Sequence, residues 1–386
     1  MQTALDRVAQ QKLADLERRH LVRAPLVTAP AGGAWVEREG RRLLSFSSND
    51  YLGLTRHPAV RAAAIGAIER YGTGAGASPL VTGYHPLAER LELELARFLG
   101  CEGACLFGAG YLANLGTIGA IVAGEDAIFI DRLAHASIWN GARLSGAHVE
   151  AFEHNDLEDL ALRLRERRGG VRYALVLTEG VFSMDGDIAP LPELADLAAR
   201  YDAWVLVDDA HGLGTRGGGA GSTHAFAAPL ALDVHVGTLS KALGSYGGFA
   251  CGSRALVALL RNRARSFIYS TAPPPSAVAA ALAALQIVAD QPELAEIPLA
   301  RARTFARAAG FRAPASHIVP LVVGTAAAAL AASAQLEARG ILVTAIRPPS
   351  VPEGTARLRC SFTASHTEDD VALLAVAIRE LGLVAR

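Results

Sequence analysis

A lysine in a glycine-rich turn has the residue type and the surroundings that covalent chemistry needs. Lys241 lies in TLSKALGSYGG, directly after a run with strand character, and the neighbouring glycines let the backbone approach a bulky ligand. A partly buried lysine beside an electrophile acts as a nucleophile and can form a Schiff base. Most loop lysines are solvated charges, so Lys241 on its own is a weak indication.

Two acids and a histidine follow an apolar run upstream of this lysine. In WVLVDDAHG the predicted strand leads into Asp208 and Asp209, and His211 follows them. A carboxylate at Asp208 could pair with the protonated nitrogen of a pyridine ring, while His211 reaches a phenolic oxygen of the same ring. The pattern also fits a metal pair or a helix cap.

Other polar residues stand at the ends of further apolar runs. FGAGYLANLG predicts a glycine turn that enters a helix, so the N–H groups of Gly110 and Tyr111 could bind a phosphate. His135, in DRLAHASIWNG, could lie against a ring or move a proton, although a lone histidine is more often structural. Glu179 and Ser183, in TEGVFSMDGD, could hydrogen bond in the same crevice, and Ser183 also fits a plain turn.

A parallel sheet would bring these residues together. Apolar runs alternate with helical patterns, which is typical of an α/β fold with a largely parallel sheet, and ligands bind at the carboxyl ends of such strands. The predicted strands are 104–107, 127–130, 174–178, 204–208 and 234–238. PLAERLELELARFLG predicts an amphipathic helix that begins at Pro86 and stops at Gly100.

The chain divides into three predicted segments. Residues 1–45 form a surface helix and an arm, residues 46–285 a large ligand-binding domain, and residues 286–386 a smaller C-terminal α/β domain. The change to alanine-rich helices after the TAPPP stretch motivates the second boundary.

Charge and composition favour a small-molecule enzyme. The formal net charge is -1, which gives no reason to expect a nucleic acid or an anionic membrane as partner. The four cysteines lack metal-ligand spacing, so no metal site is predicted and reduced thiols are expected. Neither a signal peptide nor a membrane-spanning run is visible, so we expect a cytoplasmic protein.

The segment GLGTRG imitates a dinucleotide-binding motif. It matches GxGxxG at 212–217, and Asp233 follows at nearly the right distance. These glycines do not directly follow the strand, and Gly218, Gly219 and Gly221 would break the helix that must hold the pyrophosphate. A nicotinamide-dependent oxidoreductase is therefore rejected.

Six segments together resemble the α-oxoamine synthase family over nearly the whole chain. They are FSSNDYLGL, LVTGYHPLAERLE, DRLAHASIWNGARLSG, TEGVFSMDGD, VDDAHGLG and TLSKALG. The resemblance implies a fold type I transferase dependent on pyridoxal 5'-phosphate (PLP), with a large domain around a mostly parallel, seven-stranded sheet and a smaller C-terminal α/β domain. It also implies a homodimer with shared active sites, and an acyltransferase that joins an amino acid to an acyl thioester and releases carbon dioxide.

The resemblance assigns roles to individual residues. It makes Lys241, His135 and Asp208 catalytic: Lys241 holds PLP covalently, Asp208 pairs with the pyridine nitrogen and His135 stacks on the ring and lies near the substrate. The remaining contacts to PLP are implied for Ser183 and His211 at the phenolic oxygen, for Thr238, Gly110 and Tyr111 near the phosphate, and for Ser270 or Thr271 at the phosphate in the partner subunit. Arg359 falls on the arginine that binds the substrate carboxylate.

Within the family, IRPPSVPEGTARLR and IYST resemble the biotin-pathway members that join L-alanine to a pimeloyl thioester. Arg23, Asn49, Arg347 and Ser350 match positions near that substrate. Residues 290–316 look shorter than usual, and Ser350 stands where threonine is common. Three alternatives remain open: another family member such as one using glycine and an acetyl thioester, an aminotransferase-like PLP enzyme, and a PLP-fold protein without catalysis. The acyl carrier, coenzyme A or an acyl carrier protein, also stays open.

Overall fold

The computed structural model of the chain describes residues 2–383. Its helices, in chain order, are α1 (Ala4–Arg18), α2 (Pro58–Tyr71), α3 (Pro86–Phe98), α4 (Gly110–Ile121), α5 (Ala136–Ser145), α6 (Leu157–Arg167), α7 (Leu191–Arg200), α8 (Arg254–Arg263), α9 (Arg265–Ile268), α10 (Pro275–Asp290), α11 (Ile297–Ala309), α12 (Ala326–Ala338) and α13 (Glu368–Glu380). Its strands are β1 (Thr28–Gly32), β2 (Trp35–Arg38), β3 (Arg41–Ser45), β4 (Gly103–Phe107), β5 (Ala127–Asp131), β6 (His148–Phe152), β7 (Ala174–Glu179), β8 (Trp204–Asp208), β9 (Val234–Thr238), β10 (Gly248–Gly252), β11 (Ile318–Gly324), β12 (Ile341–Leu342), β13 (Ala345–Ile346) and β14 (Ala356–Ser361).

A seven-stranded sheet organises the larger of two compact units. The strand order is β4-β10-β9-β8-β7-β5-β6, and only β10 runs antiparallel to its neighbours. This confirms the predicted α/β fold with a mostly parallel sheet, and all five predicted strands are present. Two strands escaped prediction: β6 (HVEAF) is a polar edge strand, and β10 (GFACG) is a short run between glycines.

The central strands are buried on both faces, as parallel strands covered by helices must be. Every residue of β5 and β7 is buried. Ile128 and Leu177 belong to one hydrophobic cluster, whereas Phe129 and Val176 belong to another. Because successive residues of a strand point to opposite faces, the sheet is clamped between two apolar layers that fix the positions of its strand ends.

Helix α3 forms where the leucine spacing predicts it. Leu91 and Leu95 are fully buried on its apolar face, and Pro86 is its first residue. Gly100 follows the helix with a φ of +63°, a left-handed conformation that glycine adopts without strain. The prediction of this helix and of its stop signal is confirmed.

The smaller unit joins the two ends of the chain. It comprises the residues up to Ser48, the short segment Met184–Gly186 and the residues from Ala300 onward. One sheet has the order β1-β2-β3-β12 and another β11-β14-β13, and the parallel pairing of β3 with β12 joins early and late sequence. The predicted segment boundaries at residues 45 and 285 stay a prediction.

An aromatic cluster forms the core of this smaller unit. Phe46, Phe305 and Phe362 are fully buried in it, and the ring of His366 stacks on Phe46 with centroids 4.2 Å apart. Helix α1 contributes no buried residue, as expected for a surface helix, and its start is capped by Thr3 and Asp6. Across residues 2–383, no helix combines the length and hydrophobicity needed to cross a bilayer.

Candidate active site

Lys241 and His211 meet at the carboxyl edge of the large sheet. The Nζ atom of Lys241 lies 2.8 Å from Nε2 of His211, and the histidine is only 5% exposed. His211 follows the end of β8, whereas Lys241 follows the end of the adjacent strand β9. Parallel pairing of these strands brings the two segments to one place, although thirty residues separate the side chains in sequence.

The other ring nitrogen of His211 contacts a buried tyrosine. The hydroxyl of Tyr51 lies 2.6 Å from Nδ1 of His211 and donates a hydrogen bond to Oδ1 of Asn49 at 3.0 Å. The Tyr51 side chain is fully buried. Asn49, predicted near the substrate, therefore belongs to the same hydrogen-bonded group as Lys241.

Asp208 is held by a second set of hydrogen bonds. Its Oδ2 accepts a bond of 2.6 Å from Nδ2 of Asn114 on α4, and its Oδ1 accepts the N–H of Ala210 at 3.0 Å. The same Asn114 nitrogen reaches Oγ of Ser137 at 2.9 Å, and Ser137 lies 2.7 Å from Nδ1 of His135. These contacts fix the carboxylate of Asp208 and tie it to the imidazole of His135.

Burial and charge shift the proton affinity of His135. Burial lowers the pKa of His135, the nearby charge of Lys241 lowers it further, and Asp208 opposes both. His135 is therefore largely neutral near pH 7, which suits a ring that stacks or accepts a proton.

Glu179 ends β7 directly opposite Asp208 on β8. Its Oε2 accepts the N–H of Ser183 at 3.2 Å, and its Oε1 is buried without a hydrogen-bond partner within residues 2–383. Burial raises the pKa of Glu179 well above its usual value, and Asp208 raises it further against the opposing effect of Lys241. Glu179 thus retains its proton more strongly than an ordinary glutamate and can donate a hydrogen bond.

Asp209 pins the glycine-rich loop beside the site. It accepts hydrogen bonds from the N–H and the hydroxyl of Ser222, each at 2.6 Å. Burial works against its charge, but the nearby His235, whose Nε2 lies 3.6 Å from Oδ2, and the hydrogen bonds from Ser222 outweigh that effect and hold the pKa of Asp209 below its usual value. A Cβ on Gly212 would lie 2.0 Å from Oδ1 of Asp209, so a side chain cannot fit there. The loop serves this close approach, and the described chain forms only two three-residue 3-10 turns there, at Gly217–Gly219 and Ser222–His224, with no α-helix to hold a pyrophosphate.

The predicted phosphate-binding residues gather at the start of α4. Gly110 is the first residue of that helix, and no side chain caps its free N–H groups. A Cβ on Gly110 would lie 3.2 Å from Cβ of Thr238, and Thr238 donates from Oγ1 to the carbonyl of Gly247 at 2.9 Å. Tyr111 follows Gly110 and accepts a hydrogen bond from Asn140.

Ser270 and Thr271 lie apart from these contacts. They occupy the segment between α9 and α10, and Thr271 is exposed. Within residues 2–383 neither side chain makes a hydrogen bond. Their predicted contact with the phosphate of a partner subunit stays a prediction.

Four residues of the smaller unit were predicted to lie near the substrate, namely Arg23, Arg347, Ser350 and Arg359. Arg359 lies on β14, and its Nη1 donates to Oγ of Ser361 at 2.6 Å. Arg23 donates from Nη2 to the carbonyl of Pro348 at 2.8 Å and to that of Arg347 at 3.3 Å. The N–H of Ser350 donates to the carbonyl of Arg347 at 3.1 Å, so these groups form a cluster of their own.

Sequence reasoning missed the residues that support the site. They are Tyr51, Asn114 and Ser137. Glu179 was noted as a possible hydrogen-bonding residue but was given no role in the site. Asn114 carried a signal, because a buried polar residue of poor helix propensity stands inside the apolar helix GYLANLGTIGAI. Tyr51 and Ser137 looked like ordinary members of a turn and a helix start, and only the tertiary contacts reveal them.

The donor set fits the cofactor that the sequence resemblance implies. An amine is available for an aldehyde at Lys241, and a buried carboxylate is available for a pyridinium at Asp208. The uncapped first turn of α4 supplies N–H donors for a phosphate. The chemistry of these groups therefore matches PLP.

Comparisons with known proteins agree with this geometry. The profile of the family "aminotransferase class I and II" matches residues 41–378. The 8-amino-7-oxononanoate synthase of Maricaulis maris is 53% identical over 98% of this chain and 96% of its own, and that of Methylobacterium nodulans is 55% identical over 98% and 97%. A solved serine palmitoyltransferase from S. paucimobilis with bound PLP and myriocin superposes with a TM-score of 0.88 at 32% identity, covering 98% of this chain and 97% of that one. The chain therefore belongs to the aminotransferase class I and II family, with the fold of type I PLP-dependent transferases, and within it to the α-oxoamine synthases.

Proposed function

We propose that the chain is a PLP-dependent acyltransferase that condenses L-alanine with a pimeloyl thioester. The products are 8-amino-7-oxononanoate, carbon dioxide and the free thiol, and the reaction belongs to biotin biosynthesis. The observation that carries the proposal is the contact of Lys241 Nζ with His211 Nε2 at 2.8 Å, beside a carboxylate that Asn114 holds in place.

PLP, when bound, supplies an electron sink that stabilises negative charge on the Cα atom of the amino acid. Lys241 would hold PLP through its amine, and the same amine could take the Cα proton of the amino acid. Asp208 would pair with the ring nitrogen, and its two hydrogen bonds orient the carboxylate for that contact. His211 and Ser183 would lie at the phenolic oxygen, and His135 would stack on the ring face near the substrate.

The phosphate end uses backbone donors. The N–H groups of Gly110 and Tyr111 at the start of α4 would hold the phosphate, and Thr238 would add its hydroxyl. Ser270 or Thr271 of one subunit reaches the phosphate in the other subunit of a cytoplasmic homodimer, which makes the active sites shared.

Arg359 would bind the carboxylate of the amino acid, and Asn49 is assigned a position near the substrate. A guanidinium binds a carboxylate with two parallel hydrogen bonds, which fixes the direction of the bond that breaks when carbon dioxide leaves. Arg359 is only 7% exposed, and Ser361 restrains it on β14. A restrained arginine of this kind loses little conformational entropy when it binds a carboxylate.

The Arg23 and Arg347 pair supports a substrate with a distal carboxylate. Within residues 2–383 their hydrogen bonds run to backbone carbonyls, and neither forms an ion pair with an acid. Burial lowers the pKa of Arg347, and the neighbouring Arg23 lowers it further. Nε of Arg347 is also buried without a hydrogen-bond partner in that range. Two adjacent cations that have no acidic partner within residues 2–383 favour an anion, so the terminal carboxylate of a pimeloyl group fits here, with Ser350 as a further donor.

A palmitoyl chain, the substrate implied by the name of the serine palmitoyltransferase relative, requires only an apolar lining. The arginine pair therefore favours pimeloyl over palmitoyl thioesters.

A substrate panel tests the proposal. Purified protein is mixed with L-alanine, glycine or L-serine and with pimeloyl, acetyl or palmitoyl coenzyme A, and free thiol and product mass are measured. A further arm replaces pimeloyl coenzyme A by a pimeloyl acyl carrier protein. We expect L-alanine with a pimeloyl thioester to give the fastest thiol release and the mass of the nine-carbon amino ketone. Faster turnover of L-serine with palmitoyl coenzyme A, or amino transfer without thiol release, would contradict it.

A further inference from the structure

A continuous chain of hydrogen bonds connects the catalytic lysine to a buried tyrosine. It runs from Lys241 through both ring nitrogens of His211 and the hydroxyl of Tyr51 to the side-chain oxygen of Asn49, with distances of 2.8, 2.6 and 3.0 Å. Tyr51 is fully buried, so its hydroxyl cannot exchange these partners for water. The ring of His211 is therefore held at both nitrogens.

The acceptor oxygen of Asn49 sets the direction of the hydrogen bonds that lead from it to Lys241. Oδ1 of Asn49 only accepts, so the hydroxyl of Tyr51 donates its single proton there. The Tyr51 oxygen must then accept a hydrogen bond, and the donor is Nδ1–H of His211. A neutral His211 with its proton on Nδ1 has a free lone pair on Nε2, and that nitrogen accepts an N–H of Lys241.

The segment 49–55 also positions the turn that contains Lys241. The N–H of Gly244 closes that turn on the carbonyl of Lys241 at 2.9 Å. Gly244 has a φ of +58°, and a Cβ there would lie 2.5 Å from the backbone nitrogen of Thr55. The segment 49–55 therefore packs against the turn of Lys241 through the backbone of Thr55, and it contacts the ring of His211 through Tyr51.

We propose that, in the PLP-free chain, Tyr51 is a positioning residue that fixes the ring and the tautomer of His211, so that Nε2 accepts a hydrogen bond from Lys241 and aims its amine toward the incoming cofactor. The proposal deepens the proposed function, because it rests on Lys241 being the residue that captures PLP. Tyr51 itself touches no reacting atom in this assignment.

Two measurements test the proposal, and Tyr84→Phe is the matched control for Tyr51→Phe. The hydroxyl of Tyr84 donates to Glu92 at 2.6 Å, so the control also removes a hydrogen-bonded tyrosine hydroxyl, but outside the site. The first measurement uses the full-length chain freed of PLP and labelled with ¹⁵N-histidine. Comparison with His211→Gln assigns the His211 signals, and their shifts report which ring nitrogen carries the proton. The second measurement follows the rate at which added PLP becomes covalently bound.

We expect wild-type His211 to carry its proton on Nδ1, and Tyr51→Phe to change that tautomer and to slow covalent capture of PLP by about five- to tenfold. Tyr84→Phe should capture PLP within about twofold of wild type, the ordinary scatter of a remote change. A proton on Nε2 of wild-type His211, or an unchanged capture rate in Tyr51→Phe, would overturn the proposal. Failure of the wild-type chain to capture PLP at Lys241 would refute the proposed function instead, and the tautomer measurement would still decide the hydrogen-bond chain.

Discussion

Asn114 offers a sharp test of how the site holds its carboxylate. Its side chain is 1% exposed and donates from one nitrogen to Asp208 at 2.6 Å and to Ser137 at 2.9 Å. Asn114→Leu keeps the number and branching of the side-chain heavy atoms but removes both bonds. A hydrogen bond to a buried charged group is worth about 1.5–3 kcal/mol, which corresponds to a factor of about 10–150. We expect PLP affinity and turnover together to fall within that range, because Asp208 loses the donor that orients it.

Thr117→Val is the matched control on the same helix. Thr117 is fully buried three residues further along α4, and its hydroxyl has no hydrogen-bond partner within residues 2–383. Valine removes that hydroxyl without breaking a bond, so PLP affinity should stay near wild type. PLP affinity is measured by absorbance titration, turnover by thiol release, and folding of both variants by thermal unfolding. Equal PLP affinity and turnover in the two variants would refute the role assigned to Asn114.

Three further outcomes follow from the structure. Asp208→Asn should still bind PLP, but its turnover should fall by orders of magnitude, since an amide cannot hold the ring proton with a charge-assisted bond; near-normal thiol release would contradict this. Arg23→Ala should raise KM for the pimeloyl thioester about tenfold or more and leave KM for L-alanine nearly unchanged, and an unchanged pimeloyl KM would remove Arg23 from the site. Burial lowers the pKa of His366 to about 4, so the neutral ring stabilises the fold above about pH 6.5, and this stability is lost as the pH falls toward 4. Urea unfolding at pH 6.5 and at pH 4 should show that the free energy of unfolding falls by about 3 kcal/mol from this group. In His366→Gln the free energy of unfolding should depend less on pH over this range.

The reactive centre was predictable because it depends on strand ends. Polar residues that follow buried parallel strands must meet at one edge, so Asp208, His211 and Lys241 converge as the sequence indicates. Their residue types then define the chemistry. The position of the glycines relative to the strand end also excluded a dinucleotide-binding motif at 212–217. In the structure, Gly212 instead allows the close approach of Asp209, which accepts a hydrogen bond from Ser222.

The supporting residues were not predictable, because their roles exist only in the tertiary structure. Tyr51 and His211 lie 160 residues apart in sequence, and no local pattern links them. Asn114 and Asp208 are separated by 94 residues. Helix propensity identifies Asn114 only as an unfavourable residue in a helix and does not indicate its partner. Strand β10 was missed because its sequence GFACG lacks alternation, and its pairing on both sides decides its conformation.

The most direct test of the account is to locate the covalent bond to PLP. The chain has two lysines, Lys12 on the surface helix α1 and Lys241 beside His211, so the assignment has a built-in control. The protein is purified with PLP, reduced with borohydride, digested and mapped by mass spectrometry. We expect the reduced PLP mass on the peptide that contains Lys241, and we expect Lys241→Ala to abolish it. Labelling of Lys12 instead, or a reducible link that survives in Lys241→Ala, would contradict the assignment of Lys241 as the residue that binds PLP covalently.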